Sequence, residues 1–240
     1  MVAMQQIDKV LVFDIWGDYA HFKKIETTTS PLSYSIPTGT ALSGIVATIL
    51  GKARDSYYLL FSSENAKLAI RLLNPIKKRR ININLIKTDD GFYLWDIKNT
   101  PRSPTPFEFV KEPRYRIYIW LKDKEAYSNL KEFLQQHKSF YTPYLGIAGM
   151  IANFSFIGEF DANIQYSKNE EIIHTIVRKD KSRLIIEKGK RYIVERIPIF
   201  MDTNRVVQEY GDVFFEANAK PIKVRDTTYY KIGDDNVVFI

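Results

Sequence analysis

The chain contains no cysteine among its 240 residues. Disulfide frameworks, thiolate nucleophiles and cysteine-based zinc sites are therefore excluded, and a thiol-free chain says nothing about redox compartment. Histidine is scarce as well. His21, His137 and His174 lie far apart, and none has a metal-ligand neighbour at helical or strand spacing, so neither a metal nor another cofactor is expected. Long apolar runs are missing: Ala41 to Leu50, the most apolar stretch, holds Ser43 and Thr48 and is too short to span a bilayer. The opening MVAMQQIDK lacks the basic-then-apolar pattern of a signal peptide. A soluble, cytoplasmic protein without membrane contact is the expectation. Gly-x-Ser-x-Gly is absent, GTALSGIVATILGK lacks the order of a Walker loop, and no carboxylate pair stands out for acid–base work. Metal, nucleotide and hydrolase readings have little to rest on.

What is present is an ordinary globular composition, 45% hydrophobic and 26% charged, sufficient for one large domain or two modest ones. The net charge of +7 is unevenly placed. Basic and acidic side chains cancel over residues 1–70 and again over 125–240, while residues 71–124 carry 13 basic against 6 acidic ones. This segment holds Lys77, Lys78, Arg79 and Arg80, then Arg102, Lys111, Arg114 and Arg116. A localised basic patch attracts polyanions, because each phosphate contact releases counterions. A solvated surface hairpin that is merely basic is the alternative, and charge alone does not choose between them.

The pattern along the chain points to an α+β fold. Val10 to Ile15 reads as a buried strand, broken by Trp16, Gly17 and Asp18. Thr38 or Thr40 is placed to cap a helix over Ala41 to Leu50, which Gly51 ends; Gly44 within it is costly unless something packs closely there. Leu68 to Leu73 and Arg80 to Ile86 are extended. In RYRIYIWL, Tyr115, Ile117, Ile119 and Leu121 face one way, and Arg114, Arg116, Tyr118 and Trp120 the other. Thr88 to Glu112, with Gly91 and Pro101, Pro104 and Pro106, is too long for a tight turn and reads as a protruding hairpin. Lys124 to His137 is an amphipathic helix with Leu130, Phe133 and Leu134 on its apolar side, followed by the glycine-containing YTPYLGIAGM and a strand at Ile151 to Phe160. The order strand, helix, strand, strand, helix, strand is that of a ferredoxin-like (RRM-like) fold. From about Gln165 the chain turns to short strands: Ile172 to Val177, Tyr192 to Met201, Val206 to Glu216, Tyr229 to Ile232 and Val237 to Ile240. The expected division is thus 1–164, carrying a hairpin at about 88–112, and a β-rich 165–240.

Two constellations bear on RNA. His21, Lys23, Lys24 and Tyr34 follow the first strand closely, and metal-independent RNA cleavage uses a base, an acid and a cation. Spacing does not fix such a geometry, and simple contact with RNA or solvent is favoured. Arg80 with Asn82, and Arg114, Arg116, Tyr118 and Trp120, form a cationic, aromatic sheet face of the kind that stacks bases, unless Tyr118 and Trp120 are buried under the C-terminal strands. DGFYLW (Asp90 to Trp95) faintly echoes an RNA-binding sheet motif but begins with Asp, which favours hairpin packing.

FDIWGDYAHFKKIETTTSPLSYSIPTGTALSGIVATILGK resembles the N-terminal signature of the fifth family of CRISPR-associated (Cas) proteins, within the repeat-associated mysterious protein (RAMP) superfamily. The similarity continues through LLNPIKKRRININLIKT, PFEFVKEPRYRIYI, YTPYLGIAGMIANFSFIGEF and IVERIPIFMDTNRVVQEYGDVFFEANAKPIK, so it covers nearly the whole chain; it is nearest to members from type I systems of the B-like kind. The resemblance implies a ferredoxin-like palm, a β-hairpin thumb and a small C-terminal β domain. It implies a subunit that caps the Cascade surveillance complex by holding the 5′ handle of the CRISPR RNA (crRNA). Backbone and large subunits are the implied protein partners, and target DNA is met through the complex.

Carried onto this chain, Pro37, Thr38 and Thr40 match the family's Pro-Thr/Ser-x-Ser/Thr helix opening, suited to a phosphate, although Gly39 stands where members often have a basic residue. Tyr144, Leu145 and Gly146 match the loop before the last palm strand; tight packing explains Gly44 and Gly146 equally well. The expected RNA-binding set is His21, Lys23, Lys24, Thr38, Thr40, Lys77, Lys78, Arg79, Arg80, Arg102, Arg114, Arg116, Tyr144 and Gly146. In the type I-C branch the family's protein cuts repeat RNA with His, Lys and Tyr. His137 beside Lys138 matches its Lys–His neighbours only in reversed order, so no catalytic residue is expected. A metal-independent endoribonuclease is the alternative function.

Overall fold

The computed structural model describes residues 7–27, 30–87 and 97–240. In chain order these form β1 (Lys9–Trp16), β2 (Tyr19–Ala20), β3 (Phe22–Lys23), β4 (Ser33–Tyr34), helix α1 (Gly39–Leu50), a 3-10 turn at Tyr58–Phe61, β5 (Ala66–Leu72), β6 (Lys78–Ile86), β7 (Arg102–Lys111), β8 (Arg114–Leu121), helix α2 (Lys124–Gln135) and β9 (Asn153–Asp161). There follow β10 (Asn163–Ser167), β11 (Glu171–Ile173), β12 (Val177–Arg178), β13 (Arg183–Ile185), β14 (Tyr192–Met201), β15 (Val207–Glu216), β16 (Ile222–Arg225), β17 (Thr227–Ile232) and β18 (Asp235–Val237). The described chain is mostly β, with two α-helices and several small sheets.

The largest sheet has the order β5–β8–β1–β9, every pair antiparallel. β1 is apolar apart from Lys9 and the buried Asp14, because both of its faces are covered. Leu11, Phe13 and Ile15 meet the helices together with Tyr115, Ile117 and Ile119 of β8. Val10 and Val12 point the opposite way, into a second cluster with Ile232, Val237 and Phe239. Each large apolar side chain buried this way contributes about 1.5–3 kcal/mol.

Both helices are fixed by their ends. Thr38 caps α1, its hydroxyl accepting the Ala41 N–H at 3.1 Å, and Gly51 ends it in the left-handed region at φ 69°. Asp123 caps α2, its carboxylate accepting the Ala126 N–H at 3.0 Å, and Ala126, Leu130 and Leu134 form the buried stripe.

β6 and β7 pair as a long hairpin whose base joins the body where β2 pairs with β7 at Ala20↔Val110. Strand β7 contains Pro104 and Pro106, which the sequence reading places in the protruding hairpin at Thr88 to Glu112 without marking a strand there. They are accommodated because they lie two apart, in register with Asn84 and Asn82. Glu108, of the same parity, donates its N–H away from β6 to the Pro31 carbonyl at 3.0 Å. The missing proline N–H groups therefore fall on the outer edge, where no ladder bond is lost. Two further details differ from the pattern-based expectation. The strand expected over Ile172 to Val177 is interrupted, giving β11 and β12 in different sheets, and β16, too short to show alternation, is the centre strand between β11 and β13.

Candidate nucleic-acid interface

A cleft of about 770 Å³ opens along one face of α1. Its floor is made of α1 residues, the small Ala41, Gly44, Ala47 and Thr48 together with Thr40 and Ile45. Nothing comes closer to the position of a Cβ on Gly44 than the Tyr57 hydroxyl at 3.4 Å, so this glycine serves open space and not close packing. One wall is the segment after α1, with Lys52, Arg54, Asp55, Tyr57 and Tyr58; the opposite wall is Tyr141, Thr142, Tyr144 and Gly146; Met201 and Arg205 close one end.

The wall at 140–146 is held by backbone chemistry. The Phe140 N–H donates to the Ile49 carbonyl at 3.1 Å, which the end of α1 leaves open, and the Tyr141 N–H to the Thr48 carbonyl at 3.2 Å, which also accepts the Gly51 N–H. Gly146, at φ 94°, lies so close to the His21 carbonyl that a Cβ would sit 2.0 Å from its oxygen. The His21 N–H in turn donates to the Leu145 carbonyl at 3.0 Å. Tyr141 and Tyr144 are left 51% and 42% exposed, available to a ligand's aromatic faces. On the opposite wall Asp55 receives both Nε and Nη2 of Arg205, at 2.9 and 2.8 Å, and the Tyr58 hydroxyl at 2.6 Å. The Arg205 guanidinium and that hydroxyl hold the Asp55 carboxyl down at about 2. Burial, with Asp55 alongside, pushes the Tyr58 phenol up to about 12. The Lys52 ammonium has no partner among the described residues.

The expected RNA-binding residues fall into three places. Thr40, Tyr144 and Gly146 line the cleft. Thr38 does not: it is buried, its hydroxyl capping α1, and at Gly39 a Cβ would lie 2.4 Å from the Ile199 carbonyl oxygen. Strand β14 thus covers the start of the helix, which explains why a side chain is excluded at position 39.

The second place is a joint at the base of the hairpin. The His21 ring is buried between Phe107 and Phe109, at centroid distances of 5.3 and 5.5 Å, and its Nδ1–H donates to the Glu108 carbonyl at 2.8 Å. Lys78 donates to the Ser33 carbonyl at 2.7 Å and to Glu108 at 2.9 Å. Lys24 lies 3.4 Å from the buried Glu195 and 5.2 Å above the Tyr34 ring. Tyr34 is buried, which pushes its phenol up to about 12. Of the possible cleavage constellation only Lys23 is exposed; the other three members are engaged in packing.

The third place is the hairpin and the sheet face away from the helices. Arg79 and Arg80 are exposed, with no partner among the described residues, whereas Lys77 pairs with Glu112 at 3.0 Å and Arg102 donates to the Ile97 carbonyl at 3.1 Å. Arg114 and Arg116 share the buried Asp14, at 3.3 and 2.8 Å, on the face opposite α1, and Arg114 stacks over Trp16 at 5.3 Å. Tyr118 and Trp120, on that same face, are buried against Ile232, Val237 and Phe239. The aromatic sheet platform is therefore closed by the C-terminal strands. DGFYLW lies outside the described residues. Sequence reasoning missed Lys52, Arg54, Tyr57, Tyr141 and Arg205, which only the fold brings together.

None of the three histidines lines the cleft. The His137 ring lies 4.8 Å from Phe154 at the end of α2, and the His174 Nδ1 accepts the Asn236 N–H at 3.0 Å, with burial pulling its pKa down. Among the described residues no group of three or more His, Asp or Glu is placed to hold a metal, and no helix is long and apolar enough to cross a membrane.

Comparison with known proteins agrees with this architecture. The model of the family Cas_Cas5d, described as CRISPR-associated protein (Cas_Cas5), matches residues 10–212. The chain belongs to this Cas5 family of CRISPR-associated proteins. Among solved structures it is similar in fold to a CRISPR protein from Archaeoglobus fulgidus, at 14% identity and a TM-score of 0.55, covering 96% of this chain and 98% of that one. A chain of a CRISPR RNA-guided surveillance complex aligns at 12% identity and a TM-score of 0.48, over 88% of this chain and 91% of that one. No curated protein matches.

Proposed function

We propose that this chain is the subunit of a type I (B-like) Cascade that binds and caps the 5′ handle of crRNA, and that the cleft beside α1 receives the handle. The observation that carries the reading is the composition of the cleft. Lys52, Arg54 and Arg205 stand beside Tyr57, Tyr141 and Tyr144 over a floor of mostly small residues. Cations along a groove with aromatic faces between them suit single-stranded RNA, whose bases are free to stack and whose phosphates follow the charge. In this reading the sheet β5–β8–β1–β9 with its two helices is the ferredoxin-like palm, β6–β7 the thumb, and the chain beyond about residue 164 the C-terminal β domain. Arg79 and Arg80 on the thumb extend the RNA path. The Cascade backbone and large subunits are the protein partners, and target DNA is reached through the assembled complex.

The test is repeat RNA incubated with the full chain in EDTA and run on native and denaturing gels. Binding without cleavage is expected, and Lys52→Glu combined with Arg205→Glu is expected to weaken it at least tenfold. Unchanged binding in that variant would reject the cleft as the handle site. A position-specific cut would make the protein a repeat endoribonuclease instead.

A further inference from the structure

Asp55 is the sole acidic residue among the described residues lining the cleft, and it sits where an acceptor meets an unusual concentration of donors. The Arg205 fork grips both of its oxygens, the Tyr58 hydroxyl donates to one of them, and the Arg54 Nε lies 3.5 Å from the other. Two guanidinium groups and a phenol converging on one oxyanion form the donor set that recognises a phosphate. Both ends of the clasp have left-handed backbones, Asp55 at φ 64° and Arg205 at φ 61°. Such a conformation comes easily to aspartate but not to arginine. The carboxylate is also surface-accessible, so a ligand entering the cleft meets it directly.

We propose that this cluster is the phosphate subsite of the cleft and that Asp55 is its resident stand-in, displaced when a backbone phosphate of single-stranded RNA takes its place on Arg205, Arg54 and Tyr58. The inference rests on the reading of the cleft as the RNA site. It adds that the free protein keeps its phosphate donors ordered by occupying them itself. An isolated small anion, with one charge and no neighbouring contacts, competes poorly with a carboxylate tethered in place; a strand that also stacks on the tyrosines competes well. Release of Asp55 also frees the turn at 202–206 from the segment after α1, two elements that the clasp joins in the free protein.

The sign of one substitution decides the matter. Asp55→Asn removes the charge, and Asp55→Gly removes the side chain at a position where glycine is at ease. Both are measured by fluorescence anisotropy of labelled repeat RNA on the full chain, at two salt concentrations, with thermal melts to establish folding. If Asp55 is a stand-in, both variants bind about two- to fivefold tighter, the scale of an exposed ion pair, and the salt dependence steepens by about one counterion. Equal or weaker binding in both would overturn the proposal and make Asp55 a residue that merely positions Arg205. Arg205→Ala separates the two levels of argument. If it weakens binding while the Asp55 variants do not tighten it, the cleft reading stands and the stand-in falls. If Arg205→Ala and Lys52→Glu both leave binding unchanged, the cleft reading itself is lost.

Discussion

Gly44 offers a perturbation in which stability and function are expected to move in opposite directions. A glycine inside a helix costs about 1 kcal/mol relative to alanine, and natural helices keep one where a neighbouring backbone needs the room. At Gly44 no backbone approaches; the nearest atom to the place a methyl group would take is the Tyr57 hydroxyl at 3.4 Å, an ordinary contact. Gly44→Ala is therefore expected to raise stability by about 0.5–1 kcal/mol, a rise in Tm of about 1–4 °C for a chain of this size. Gly44→Leu keeps the helix-forming gain but projects a branched side chain over the cleft floor between the two walls. It is expected to melt no lower than the parent and to bind repeat RNA at least about tenfold more weakly, or 1.4 kcal/mol. Paired melts and anisotropy titrations measure both quantities on the same samples. A folded Gly44→Leu protein with parental affinity would refute the argument, because the floor of α1 would then have no ligand to accommodate.

Three further outcomes follow from other parts of the structure. Gly146→Ala is expected to cost about 2 kcal/mol or more, since it combines φ 94° with a methyl 2.0 Å from the His21 carbonyl oxygen; an unchanged urea midpoint would contradict that packing. Glu195→Ala removes the acceptor of the Ser35 N–H and hydroxyl, at 2.9 and 3.0 Å, and leaves Lys24 without its carboxylate. A loss of about 2–4 kcal/mol is expected in chemical denaturation, and parental stability would show that the joint does not depend on this carboxylate. The Asp55 carboxyl lies below its ordinary value, at about 2. Its clasp with Arg205 therefore contributes fully above about pH 4 and is lost as pH falls through about 2. A side-chain NMR titration with an Asp55 midpoint near 4 would show the clasp to be open in solution.

The parts of the fold that are legible in the sequence are those with a sustained period. β1, β8 and the two helices bury stripes or runs of apolar residues long enough to be seen, and Thr38 and Gly51 mark the ends of α1 by their own chemistry. β7 is hidden because its prolines read as breakers until the spacing of two and the free outer edge are known. The short C-terminal strands are hidden for a simpler reason: β12 is two residues long and has no pattern to show. In the candidate site, Thr40, Tyr144 and Gly146 are reached through local motifs. Lys52, Tyr141 and Arg205 lie inside the stretches that carry the family resemblance but outside the short matches within them, and with Tyr57 they converge only in three dimensions. His21 and Lys24 illustrate the opposite failure. Their chemistry invites a functional role, yet Glu108 and Glu195, far along the chain, draw them inward. Local sequence does not record a distant acceptor.

The two prolines of β7 have a bearing on how the free protein avoids aggregation. A hairpin that projects from the body presents two strand edges, and an open edge is an invitation to pair with any other exposed strand. Pro104 and Pro106 remove two donors from the outer edge of β7, and Glu108 commits a third to Pro31. A foreign strand arriving there finds carbonyls but few N–H groups, and cannot build a ladder. The opposite edge, along β6, carries the exposed Arg79 and Arg80 near its start, whose like charges repel a second copy. A newly made chain can thus carry a long, bare ribbon without being drawn into aggregates, and whatever grips that ribbon must do so across its faces.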